Sequence, residues 1–155
     1  MKVAFGADHA GFELKQHLIE TANALGHDAL DLGTNGPESV DYPDFAVAAA
    51  RAVLDGRADL GVVICSNGVG ISITANKVPG IRCALCHTSW GAARARQHTD
   101  ANMLALGGLE VGRAIAADIL AAFLSYSFEG GRHAQRVAKL MAVERDGIAA
   151  GKAGA

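Results

Sequence analysis

The segment GVVICSNGVGIS (61–72) decides how this chain is read. Together with the residues just before it, its first half gives a run over 58–65 that is apolar but for Asp59. That is the pattern of a strand buried on both faces, at the centre of a parallel sheet. A short polar turn follows, then Gly68 and Gly70, then residues able to start a helix. Cys65 therefore stands at the last position of a central strand, facing a turn whose glycines leave backbone N–H groups bare. Three readings compete. The turn is a phosphate cradle, though not a Walker loop, because the Lys-Ser/Thr ending is missing, and the dinucleotide glycine pattern is missing too. Or it is an oxyanion hole beside a thiol whose pKa the helix dipole lowers. Or Cys65 is a small buried hydrophobe and the glycines only make a tight turn.

Outward from this segment, short apolar runs alternate with helical patterns. Strands are expected at 3–7, 28–33, 58–65, 82–86 and 102–107, and helices at 11–25, 46–56, 88–97 and 110–126. A short helix follows the glycine turn and is stopped by Pro79 and Gly80, while 34–45 is rich in turn formers and reads as a loop. After EGGRH (129–133) a polar helical tail runs out into GIAAGKAGA (147–155), expected to be disordered. Strands that are each followed by a helical segment predict one α/β domain over 1–146. The expected architecture is a three-layer α/β/α, Rossmann-like fold with a five-stranded parallel sheet and a C-terminal helical tail. Ligands of such sheets bind beyond the carboxyl ends of the strands. Asp8 and His9, Cys65 and Asn67, and Cys86 and His87 fall there. His98, Thr99 and Asp100 precede the fifth strand, and the rule does not place them.

Composition narrows the classes. Of 155 residues, 50% are hydrophobic and 19% charged, with a mean hydropathy of +0.20. Apolar surface on such a domain is expected to be covered by another subunit. With 14 Lys+Arg against 16 Asp+Glu and a pI near 6.3, nothing favours nucleic acid. Met1 leads straight into KVAFGAD (2–8), so no secretory leader is expected, and no apolar run approaches the roughly 18 residues of a membrane span. The three cysteines are expected to be reduced thiols in the cytoplasm. CALCH (83–87) has the form of a covalent haem site, but it lies in an expected strand, where residues three apart face opposite ways, and haem attachment requires export. Core residues are expected there, with no cofactor and no metal.

Asp8-His9 reads either as a helix cap or as a handler of hydroxyl protons, and His98 either as structural or as catalytic. Arg132, Arg136 and Lys139 share a helical face, either as a solvated stripe or as an anion clamp. Two guanidiniums one turn apart suit a phosphate dianion.

Taken together, GADHAGFELK, DYPDFA, ICSNGVGISITANKVPGIR, RQHTDANMLALGG and EGGRHAQRV resemble, in order and spacing, the type B ribose-5-phosphate isomerases. That family also holds galactose- and allose-6-phosphate isomerases. The resemblance implies aldose–ketose isomerisation through a cis-enediolate, most simply of ribose 5-phosphate and ribulose 5-phosphate, without metal or cofactor. By position, Cys65 matches the base, His98 and Asp8 the ring-opening pair, and Asn67 a proton-relay position. The N–H groups of Ser66, Asn67, Gly68, Val69 and Gly70 match an oxyanion hole. His9, Arg132 and Arg136 match phosphate contacts, the arginines coming from the neighbouring subunit of a homodimer or dimer of dimers. Tyr42 matches a pocket-lining residue. One branch of the family carries a glutamate base where Val69 stands; Cys65 resembles the cysteine branch, and Asn67 the glutamate branch. Thr99 stands where an asparagine usually contacts the sugar, and Leu109 where an arginine often assists the phosphate. The rival readings are the same chemistry on allose 6-phosphate, galactose 6-phosphate or a tetrose phosphate, a non-catalytic phosphometabolite-binding module, and a redox or haem protein.

Overall fold

Strand β3 (Leu60–Cys65) is buried along its whole length, as its apolar run demands. It pairs in parallel with β1 (Lys2–Ala7) on one side and β5 (Met103–Gly107) on the other. The remaining strands, β2 (Asp28–Asp31) and β4 (Cys83–Leu85), form the edges, giving the order β2-β1-β3-β5-β4. The computed structural model describes residues 1–153, with side chains through residue 149. Six helices complete it: α1 (Phe12–Ala24), α2 (Tyr42–Leu54), α3 (Val69–Ala75), α4 (Ser89–Thr99), α5 (Arg113–Ser125) and α6 (Arg132–Ala153).

Alternation along the strands builds two cores, one on each face of the sheet. Leu60, Val62 and Ile64 pack with Leu14 and Leu18 of α1 and with Ile119, Leu120 and Phe123 of α5. Val63 and Cys65 point the other way, into a cluster with Ala46, Ala49 and Ala50 of α2 and Ile71 and Ala75 of α3. Small alanines let α2 lie close to the strands. Cys83 packs against this second cluster and Cys86 belongs to the first, so the two thiols of CALCH face opposite sides. Burial pushes the Cys83 thiol up to about 12, with Cys86 adding to the effect, and the Cys86 thiol to about 11. Both are thiols rather than thiolates at neutral pH, as core residues should be.

The expected α/β architecture is the observed one, and most boundaries fall close to those expected. Helix α2 differs: it starts at Tyr42, inside the stretch expected to be a loop. Pro43 sits in its first turn, where a fixed φ and a missing N–H cost nothing. Helix α6 is described as far as Ala153, across part of the stretch from residue 147 that was expected to be disordered; residues 154–155 lie outside the described residues. Among the described residues, no helix is long and apolar enough to cross a membrane.

Candidate active site

The chain leaves β1 for β2 on one side of the sheet, then enters β3 on the other side, passes to the edge at β4 and returns to β5 between them. The carboxyl ends of β1 and β3 therefore flank the switch point, where open α/β sheets bind ligands. The register pairs Ala7 with Ile64, which brings Asp8 beside Cys65. The Asp8 N–H donates to the Ile64 carbonyl at 3.2 Å. Asp8 is buried, and its carboxylate accepts the Gly11 N–H at 3.0 Å. Asp8 therefore closes a turn ahead of the next helix rather than capping it: the N-cap is Gly11, and no side chain caps that helix.

Cys65 is 3% exposed, and its Sγ accepts the Gly68 N–H at 3.2 Å. Gly68 adopts φ 77°, a backbone that a side chain strongly disfavours. A Cβ there would also lie 2.5 Å from Leu85 Cδ1 and 2.8 Å from the Leu106 carbonyl carbon. Gly68→Ala is expected to lose about 2–4 kcal/mol of stability from left-handed strain plus overpacking. Urea denaturation measures this, and a loss under about 1 kcal/mol would mean the turn adapts without strain.

The expected row of oxyanion donors is only partly free. Gly68 gives its N–H to the thiol, and the Val69 N–H is taken by Asn67 Oδ1 at 3.0 Å. Asn67 thus braces the turn with its amide oxygen, a local role that the relay assignment did not include. In the first turn of α3 the N–H groups of Gly70 and Ile71 have no partner among the described residues, which leaves them facing the site. Tyr42 lies over this turn: a Cβ on Gly70 would sit 2.7 Å from its ring. Ser66 and Val69 are exposed at the mouth. His9 is exposed too, and its Nδ1 accepts the Val40 N–H at 3.2 Å. In the neutral ring that fixes the proton on Nε2, which is then free to donate to an anion.

His98 lies elsewhere. Helix α4 runs back from the carboxyl end of β4 to the amino end of the sheet, where the Thr99 carbonyl meets Arg82 at the start of β4. The length of β3, about 20 Å, therefore separates the two edges, and one chain does not bring His98 to Asp8 or Cys65. His98 stacks on His133, with ring centroids 4.1 Å apart and planes 6° apart. With Thr99 and Arg136 these rings line a cavity of about 230 Å³. Arg132 and Arg136 are exposed on the first turns of α6. Burial holds the His133 imidazolium below the ordinary histidine range, helped by His98, Arg132 and Arg136 and opposed by Glu129. His133 was not legible as a site residue: its partner is distant in sequence, and only its neighbours Arg132 and Arg136 carried a pattern.

His98, Glu129 and His133 each bring a possible metal-ligating atom within 4.8 Å of the others. The imidazole lone pairs lie in the ring planes, and these planes are parallel, so the two nitrogens do not converge on one ion.

The ribose/galactose isomerase family matches residues 3–140. Ribose-5-phosphate isomerase B of Escherichia coli is 45% identical over 93% of this chain and 97% of its own length. A D-erythrulose-4-phosphate isomerase of Pectobacterium atrosepticum is 38% identical over 90% of this chain and 93% of its own. The solved structure of Clostridium thermocellum ribose-5-phosphate isomerase B superposes with a TM-score of 0.92 at 49% identity, covering 94% of this chain and 99% of that one. Fold and likeness together define a sugar-phosphate isomerase. The chain belongs to the ribose/galactose isomerase family.

Proposed function

We propose that this isomerase interconverts ribose 5-phosphate and ribulose 5-phosphate, with Cys65 as the base and with sites shared between two copies of the chain. The observation that carries the reading is the Cys65 thiol, buried at the switch point, accepting an N–H from the turn that also presents free N–H groups. The Cys65 thiolate takes the C2 proton of the open-chain aldose and returns it to C1, while the proton of the 2-hydroxyl passes to O1 through the enediol. The negative charge that develops on the substrate oxygen meets the Gly70 and Ile71 N–H groups, and one such preorganised donor is worth roughly 2.7–4 kcal/mol. His9 donates from Nε2 to the phosphate. A second copy supplies His98, Thr99, Arg132 and Arg136, because the opposite edges of one sheet cannot meet around one pentose. There His98 and Asp8 move the proton from the anomeric hydroxyl to the ring oxygen, and the two arginines hold the phosphate. The free thiols of Cys65, Cys83 and Cys86 support a cytoplasmic setting.

Purified protein is expected to show its highest kcat/KM on ribose 5-phosphate among ribose 5-phosphate, allose 6-phosphate and erythrose 4-phosphate. Preference for the tetrose phosphate, which the Pectobacterium relative keeps open, would replace the pentose as substrate. No turnover of any of the three would sink the reading. His98→Asn tests ring opening. Erythrose 4-phosphate cannot close a furanose, because its O4 carries the phosphate. Loss of a general acid–base is worth roughly 10²–10⁴-fold and should fall on ribose 5-phosphate far more than on the tetrose phosphate. Equal losses on both would remove His98 from ring opening.

A further inference from the structure

Immediately after His98 and Thr99 the backbone takes an uncommon shape. Asp100, the C-cap of α4, has φ 48° and ψ 42°, the only non-glycine residue at positive φ among those described. This conformation is unfavourable for a residue with a Cβ and persists where the surroundings over-determine it. Arg82, just before β4, supplies that constraint. Its Nε donates to the carbonyls of Thr99 at 3.1 Å and Asp100 at 2.8 Å. One terminal nitrogen donates to the Asp100 carboxylate at 2.9 Å, and the other reaches Met141 Sδ on α6 at 3.7 Å. Arg96 adds a bond to the Ala101 carbonyl at 2.6 Å and lies 3.9 Å from the second Asp100 oxygen. Arg82 is itself pinned: its N–H donates to Asn102 Oδ1 at 2.8 Å, and its carbonyl accepts the N–H groups of Asn102 and Met103.

One planar guanidinium therefore joins the end of α4, which carries His98, to α6, which carries His133 and Arg136. A glycine at the C-cap would end the helix without strain and without any arginine. The acidic residue is worse for the backbone, yet it gives Arg82 a carboxylate to hold.

We propose that Arg82 and Asp100 form a positioning pair, fixing the angle at which His98 and Thr99 are presented and their spacing from His133 and Arg136 on α6. Its catalytic consequence rests on the function proposed above; its structural content does not. A displacement of about 1 Å in such a group can cost roughly 10²-fold in rate.

Two variants of the full chain, Asp100→Gly and Arg82→Lys, test the pair. Asp100→Gly relieves the backbone strain, so it should melt at or above the wild-type temperature. Its His98 ring signals in a ¹H–¹³C NMR spectrum, assigned by their loss in His98→Asn, should move away from their stacked positions. They should move in Arg82→Lys as well, since an ammonium cannot reproduce the fork. In Asp100→Gly the kcat on ribose 5-phosphate should fall roughly 10–100-fold, with KM changing far less. His98 signals unmoved in both variants overturn the proposal, as does a wild-type kcat in Asp100→Gly. So does a loss of kcat matched by a fall in melting temperature, which would make the pair merely structural. A wild-type protein that isomerises no sugar phosphate overturns the functional reading instead, and the NMR signals then decide the positioning alone.

Discussion

Cys65→Ala is expected to lower kcat on ribose 5-phosphate by roughly 10³–10⁴-fold while the affinity for a phosphorylated sugar acid stays near wild type. A proton alpha to a carbonyl leaves only to a base in contact with it, and on the reading proposed above that base is the thiol. The same proposal gives binding to other groups, the His9 Nε2 and the α6 arginines. The structural cost should be small. Cys65 sits in the alanine-rich core between the sheet and α2 and α3, and an alanine removes one sulfur and one bond to Gly68. Circular dichroism and steady-state kinetics on the same preparation separate the two effects. Turnover within tenfold of wild type would return Cys65 to the role of a small buried hydrophobe.

Mixing two inactive variants should restore activity. Cys65→Ala keeps His98, and His98→Asn keeps Cys65. If each site takes its thiol from one copy and its imidazole from the other, a mixed dimer holds one doubly damaged site and one intact site. Random pairing makes half the dimers mixed, so about a quarter of all sites regain wild-type activity. Sites built within one chain would each keep a defect, and mixing would restore nothing. Subunit exchange is confirmed by native mass spectrometry, and a fully exchanged mixture no more active than its parents excludes the shared site.

Much of the fold was legible because local pattern and burial agree. Of the stretch 58–65, residues 60–65 form a central strand because both its faces are covered, and Cys83 and Cys86 diverge because strand parity requires it. The start of α2 was hidden because Pro43 sits among turn formers, and only its place in a first turn turns it from a breaker into a starter. The carboxyl-edge rule nominated Asp8, His9, Cys65 and Asn67, which do lie together past the ends of β1 and β3, and equally Cys86 and His87 past β4. It was silent on His98, which lies towards the opposite, amino end of the sheet. The occupied Val69 N–H was not legible, since either an open donor row or an Asx brace fits the same letters. Arg82 and Asp100 left no sequence pattern, because their bonds run between distant segments.

The parity of β3 also governs how this protein can change over generations. Val62 and Ile64 face α1 and α5, while Val63 and Cys65 face α2 and α3. Exchanging one aliphatic side chain for another along this strand leaves the thiol aimed at its site. Deleting or adding a single codon between Leu60 and Cys65 does not, because every later side chain then swaps faces. The thiol would leave its layer for that of α1 and α5, and Ser66 after a deletion, or Ile64 after an insertion, would take its place at the switch point. The loop 35–40 carries no such parity and can drift in length at little thermodynamic cost. Variation in this molecule should therefore be substitutional in the strand that carries the chemistry, and insertional only in the loops.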